Sequence, residues 1–333
     1  MPPVGRGTPR IAESGKTCRY TGAMSILVCG SLAYDTIMVF PDQFRKHILP
    51  ERIHLLNVSF MVPDMRREFG GTGGNIAYNL KLLGEEPRLM ATVGHDFAPY
   101  AQRLENLGLA ATHVRVLDDH FTAQAFITTD VDDNQITAFH PGAMSESHRN
   151  RIADASGVKL GIVSPDGRQG MVEHARDFAA ARIPYVFDPG QGLPMFSGPE
   201  LLDLIDGAAA LAVNDYEARI VEQKTGLALA ELAKRVECLV VTRGAEGSTL
   251  FTEGREVQVN PVRPDALVDP TGCGDAYRAG LLYGRARGWP WLRAARLASV
   301  MGALKIAYRG GQNHAPSRAE INERLRQNYG ESL

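Results

Sequence analysis

Short apolar runs separated by helix-like stretches constrain this chain more than any other feature. The runs are Ile26–Cys29, Leu89–Val93, Leu160–Val163, Tyr185–Phe187, Leu211–Val213 and Leu239–Val241. Each suits a buried strand and is too short for a helix, and most are followed by Gly, Asp or Asn. Between them, Asn75–Leu83, Tyr100–Leu107, Met171–Ala181, Tyr216–Lys224 and Ala276–Arg287 read as helices. The clearest helix is Leu292–Tyr308, where Leu297, Met301, Leu304 and Tyr308 make one stripe that Gly310-Gly311 ends. A βαβα succession predicts an α/β fold: a doubly wound, mostly parallel sheet with helices on both faces.

Two stretches break the rhythm. Ile37–Phe69 is long and mixed, with Pro41, Pro50 and Pro63. Phe121–His140 reads as a hairpin: Ala123–Thr129, a polar turn at Asp130–Asn134, then Gln135–Phe139. Together they predict a small inserted β-sheet lid over a ligand cleft. The expected organisation is a large α/β domain from residues 24–36, 70–118 and 141–333, with the lid from 37–69 and 119–140. Residues 1–23 have no apolar core of a secretory signal and are expected to be a disordered extension. Their Ser14-Gly15-Lys16-Thr17 lacks the first P-loop glycine, because Arg10 stands in its place.

Charge excludes several partners. The 333 residues carry 36 basic and 38 acidic side chains, a formal net charge of −2. Such a balance gives no footprint for a nucleic-acid polymer. No run approaches the ~18 apolar residues that span a bilayer. Cys18, Cys29, Cys238 and Cys273 are scattered and form no C-x-x-C pair, which fits a reducing cytoplasm and no structural zinc. His47, His54, His140 and His314 show no metal-ligand spacing.

Four motifs could carry chemistry. In Gly70-Gly71-Thr72-Gly73-Gly74-Asn75, four glycines at a helix start allow close backbone approach to a ligand, and Asn75 offers an amide for hydroxyls. Asp269-Pro270-Thr271-Gly272-Cys273-Gly274-Asp275 places the amides of Gly272, Cys273 and Gly274 at a helix N-terminus, an anion hole beside a potential base, Asp275. In Asn214-Asp215-Tyr216-Glu217, the amide and carboxylate are three apart; they suit Mg²⁺ through waters, or a plain N-cap box. Thr242-Arg243-Gly244 follows an apolar run where a nucleotide would sit in an α/β sheet. After the first strand, Asp35 could accept two sugar hydroxyls.

The stretches CGSLAYD, REFGGTGGNIAYNL, NQITAFHPGAM, FDPGQGLP, VNDYEA and DPTGCGDAYRAGLL resemble the ribokinase/PfkB family of carbohydrate and nucleoside kinases. The likeness runs from about Met24 to Asn328 and is greatest to bacterial adenosine kinase-type nucleoside kinases. It implies a ribokinase-like fold with a nucleotide-binding large domain. The implied activity is ATP-dependent phosphorylation of a nucleoside 5′-hydroxyl, adenosine first, then inosine or guanosine, by a monomer or homodimer. A sugar or sugar-phosphate kinase is the alternative, with Arg66 and Arg67 near the lid as phosphate binders. Under this resemblance Asp275 is the base, and Gly272, Cys273 and Gly274 form the anion hole. Asp35, Gly71 and Asn75 hold the ribose. Asn214 and Glu217 position Mg²⁺ and ATP, while Thr242 and Gly244 lie along the nucleotide. Asp269 and Thr271 match positions where relatives bind an activating K⁺. Cys273 stands where the family motif has Ala, which puts a thiol beside the phosphates and suggests sensitivity to oxidation.

Overall fold

The computed structural model describes residues 25–48, 58–132 and 134–333. The expected extension at 1–23, and residues 49–57 of the expected lid, lie outside the described residues.

The chain alternates as its apolar runs demand. Strand β1 (Ser25–Cys29) is followed by β2 (Ala33–Val39), β3 (Asp64–Gly70), α1 (Thr72–Leu82), β4 (Arg88–Gly94), α2 (Ala98–Asn106) and β5 (His113–Leu117). The hairpin β6 (Ala123–Thr129) and β7 (Gln135–His140) comes next. Then follow β8 (Val158–Val163), α3 (Arg168–Ala180), β9 (Tyr185–Phe187), α4 (Gly198–Asp206), β10 (Ala210–Asn214), α5 (Asp215–Thr225), α6 (Leu229–Leu232) and β11 (Cys238–Thr242). The last elements are β12 (Ser248–Thr252), β13 (Arg255–Val259), α7 (Cys273–Ala286), α8 (Trp291–Lys305) and α9 (Arg318–Tyr329).

The large sheet has the order β13-β12-β11-β10-β9-β8-β1-β4-β5. It is parallel from β11 through β5, and the β12–β13 end is antiparallel. Both faces are covered, so alternate residues of one strand feed opposite cores. Ile26 and Val28 pack with α1, α7 and α8, whereas Leu27 and Cys29 pack with α3, α4 and α5.

The small sheet has the order β3-β2-β6-β7. Its first strand begins at Ala33, four residues before the stretch where the rhythm of the sequence breaks. Tyr34 explains the difference: it is fully buried and its hydroxyl donates to the Asp96 carbonyl, so the strand starts as core rather than as loop. The outer strand β7 is exposed along its whole length.

Helix α8 ends at Lys305, short of the stripe read to Tyr308. Leu297 and Met301 are buried, but Tyr308 is about half exposed at 48%. There the chain turns, the Tyr308 amide donating to the Lys305 carbonyl and the Lys305 Nζ to the Tyr308 carbonyl, each at 3.0 Å.

Candidate active site

Ligands of doubly wound sheets gather at the carboxyl ends of the parallel strands. Asn214 ends β10 and Thr242 ends β11, and the two are register neighbours. Asp188 follows β9 directly. The N-terminus of α7 completes this rim with Gly272, Cys273, Gly274 and Asp275.

Gly272 caps α7 with a left-handed φ of 79°, which lets the chain turn from the preceding loop into the helix. The Cys273 amide donates to the Pro270 carbonyl at 3.1 Å. This corrects the three-amide anion hole: the Cys273 amide closes the turn. Gly274 and Asp275, in the first turn, have no intrahelical acceptor for their N–H groups. A Cβ built on Gly274 would meet nothing within 4 Å, so its backbone faces open space. The Cys273 thiol is no exposed nucleophile either. Burial pushes it up to about 11, and it points at the Asp269 carbonyl at 3.9 Å.

Asp275 accepts a hydrogen bond on Oδ2 from Asn75 Nδ2 at 2.8 Å. Burial pushes its carboxyl up to about 7; the Asn75 bond and the Arg278 charge oppose the shift, while Asp188 and Asp35 add to it. Asn75 is itself buried. Its Oδ1 accepts from Gln312 Nε2 at 3.1 Å, and the same Gln312 nitrogen donates to the Tyr100 hydroxyl at 2.7 Å. Tyr100 donates onward to the Gly70 carbonyl at 2.8 Å. The amide assigned from the sequence to ribose hydroxyls therefore joins Asp275 to the β3–α1 corner.

Asp35 lies on β2, opposite Glu68 of β3. Burial pushes it up to about 6, with the Glu68 and Asp269 charges adding to the shift. A Cβ on Gly70 would come within 2.4 Å of Asp35 Oδ2, so the bare Cα of Gly70 is what lets this carboxylate sit there. Gly71 has a φ of 83°, and a Cβ on it would lie 2.5 Å from the Ser31 carbonyl oxygen. The glycine-rich turn thus spends its freedom on folding tightly over the β1–β2 connection, rather than only on approach to a ligand.

Asn214 and Glu217 form a reciprocal capping box at the start of α5. Asn214 Oδ1 accepts from the Glu217 amide and Glu217 Oε2 from the Asn214 amide, each at 2.7 Å. Burial raises the Glu217 carboxyl, as does Asp188, whereas Arg278 lowers it. Arg278 is buried and forks onto Asp188, with Nε–Oδ2 at 3.1 Å and Nη2–Oδ1 at 3.3 Å. Its Nη1 is buried without a hydrogen-bond partner. Thr242 Oγ1 sits 3.5 Å from the Val213 carbonyl, and Gly244 follows with a φ of 53°.

Two cations, Mg²⁺ and K⁺, make different demands on these residues. For Mg²⁺ the fit is good: the capping box uses only Oε2 of Glu217, and carboxylate oxygens are the hard ligands this ion takes, directly or through water. K⁺ at Asp269 and Thr271 does not fit. Asp269 Oδ1 accepts from the Thr271 amide at 2.9 Å, and Oδ2 from the Gly310 amide at 2.8 Å. The Asp269 carbonyl accepts from Lys305 Nζ at 2.8 Å.

Residues 34–318 match the model of the pfkB family carbohydrate kinases. The chain belongs to the pfkB family. Nucleoside kinases of Methanocaldococcus jannaschii and Methanothermobacter thermautotrophicus are 28% and 30% identical to this pfkB member, over 91% and 92% of the chain and 98% and 96% of their own lengths. Among solved structures, Burkholderia thailandensis nucleoside kinase in complex with inosine is 53% identical, with a TM-score of 0.84 over 92% of this chain and 99% of that one. Its ADP-inosine complex is 55% identical, with a TM-score of 0.82 over 92% and 97%. The large mostly parallel sheet with a small separate sheet is the ribokinase-like fold of this family.

Arg278, Asp188, Gln312 and Lys305 stand around these side chains without belonging to the four motifs. Arg278 lies three residues after Asp275 and shares its helix face, a signal available from spacing alone. Asp188 stood in view at the end of an apolar run. Gln312 and Lys305 carried weaker signals: one sits in a Gly-rich turn, the other in an otherwise apolar helix.

Proposed function

We propose that this chain transfers the γ-phosphoryl group of ATP to the 5′-hydroxyl of a purine nucleoside, inosine or adenosine, in the cytoplasm. The observation that carries the reading is Asp275. It is a carboxylate pushed up to about 7, in the first turn of α7, beside amides with no helical acceptor. A base near the working pH removes the hydroxyl proton, and the amides stabilise charge on the moving phosphoryl group. The similarity to a nucleoside kinase bound to inosine supports the nucleoside as acceptor.

Roles follow from position. Asp35, on the small sheet, accepts ribose hydroxyls. Asn75 orients Asp275. Gly272 and Gly274 line the transferred group, and Thr242 and Gly244 run along the nucleotide. Glu217, with Asn214, faces the phosphates, where Mg²⁺ bound with ATP supplies neutralising charge. The small sheet acts as a lid: because Asp35 stands on the small sheet and Asp275 on α7 of the large domain, the acceptor is held between them and water is excluded. The arginines that would favour a sugar phosphate have neighbours within the small sheet. Arg66 Nε lies 3.4 Å from Glu68, and Arg67 lies over the Tyr34 ring.

Phosphate transfer from ATP to inosine, adenosine, guanosine, cytidine, ribose and fructose 6-phosphate tests the assignment. Activity on the purine nucleosides supports it; activity confined to ribose and fructose 6-phosphate overturns it.

A further inference from the structure

Lys305 is fully buried, yet it is a cation at the end of an apolar helix. Burying an ammonium is costly unless oxygens replace its water. Here Nζ donates to the Asp269 carbonyl at 2.8 Å and the Tyr308 carbonyl at 3.0 Å. It therefore bridges two loops that are joined on either side of it. The Val268 and Asp269 amides both bond the Ile306 carbonyl at 3.0 Å, and the Gly310 amide bonds Asp269 Oδ2. The acidic groups facing the ammonium are Asp269, Asp275 and the Cys273 thiol.

The 269 loop leads straight into the Gly272 corner and the first turn of α7. Whatever cation joins the 269 and 308 carbonyls thus sets where Gly274 and Asp275 stand. We infer that Lys305 is a tethered cation that takes the place of a bound K⁺, so the enzyme works without any monovalent metal ion. The inference rests on the kinase reading of this site. Lys305 is a positioning residue: it acts through the loop and touches no reacting atom.

The test measures both melting temperature and nucleoside phosphorylation in tetramethylammonium and in K⁺ salts, at equal ionic strength. For the wild-type chain, replacing about 100 mM tetramethylammonium by K⁺ leaves the melting temperature unchanged and activity within about twofold. A K⁺ site saturated at that concentration would instead raise the melting temperature by several degrees. Lys305→Ala opens the place, so this variant gains a response to K⁺ or ammonium, with activity recovered about tenfold and a higher melting temperature. Lys305→Met fills the space without charge and is not rescued. Activation of the wild type more than about twofold by K⁺, or its thermal stabilisation, overturns the inference. So does a folded Lys305→Ala that ignores both cations. The wild-type titration needs no variant and decides the matter if Lys305→Ala does not fold. The melting arm needs no substrate, so absence of nucleoside phosphorylation would strike the functional reading alone.

Discussion

Asn75 Nδ2 donates to Asp275 Oδ2 at 2.8 Å across a sequence separation of 200 residues. The bond joins the first turn of α1 to the first turn of α7, and so ties the corner next to the small sheet to the proposed base. A hydrogen bond to the charged form of a carboxylate lowers its pKa. Asn75→Ala removes that bond, so the acid limb of the pH profile of kcat/KM moves above about 7. Gln312→Ala, one step further along the chain of bonds, moves it less. A pH–rate profile of the two variants checks both.

Asp35 and Gly70 form a second testable pair. Asp35 holds hydroxyls best when ionised, and its carboxyl is pushed up to about 6. The KM for nucleoside is therefore expected to rise as pH falls through 6. Asp35→Asn raises KM at every pH and removes the step. Gly70→Ala sets a methyl 2.4 Å from Asp35 Oδ2, so it mimics Asp35→Asn in KM for nucleoside while the KM for ATP stays near wild type. Steady-state kinetics in both substrates separate the two effects.

Arg278 and Asp188 make a buried ion pair that braces the rim beneath Glu217. Removing one partner leaves the other buried and uncompensated, a loss of about 3–5 kcal/mol. Asp188→Ala is accordingly expected to be far less stable in urea than the double change Asp188→Ala with Arg278→Met. Equal stability of the two variants would contradict this bracing.

Asp166 makes stability depend on pH. It is buried, with Oδ2 lacking a partner, and burial pushes it up to about 8. The folded chain keeps a proton that an unfolded aspartate releases near pH ~4. Its contribution is therefore fully present below pH ~4, and is lost progressively as pH rises from there to about 8. Asp166→Asn raises the melting temperature most above pH 8 relative to wild type, and changes it little below pH ~4. Thermal melts at the two pH values give the comparison.

Local pattern and long-range pairing differ in how far they can be read. Ile26–Cys29 and its counterparts are legible as strands because a strand buried on both faces must be apolar throughout. The hairpin around Asp130–Asn134 is legible because alternation and turn chemistry are local; Asp130 Oδ1 in fact accepts from the Asp132 and Asn134 amides. The end of α8 is not legible in the sequence, because apolar periodicity continues to Tyr308 whereas the helix ends at Lys305 in a turn closed by the Tyr308 amide. Asp275 could be found from its motif, but Asn75, Gln312 and Arg278 around it are set by which helix starts meet in three dimensions. The Asn214–Glu217 motif was ambiguous for a physical reason: the residue types that cap a helix are those that bind a hydrated cation.

The most direct test of Asp275 as the base is the pH dependence of inosine phosphorylation with saturating Mg²⁺-ATP. Wild-type kcat/KM is expected to rise with the Asp35 ionisation near 6 and again with the Asp275 ionisation near 7, and then level off. Asp275→Asn is expected to lose at least ~10²-fold in kcat, and to lack the rise near 7. A wild-type profile flat through pH 7, or an Asp275→Asn variant within a few-fold of wild type, would contradict the account.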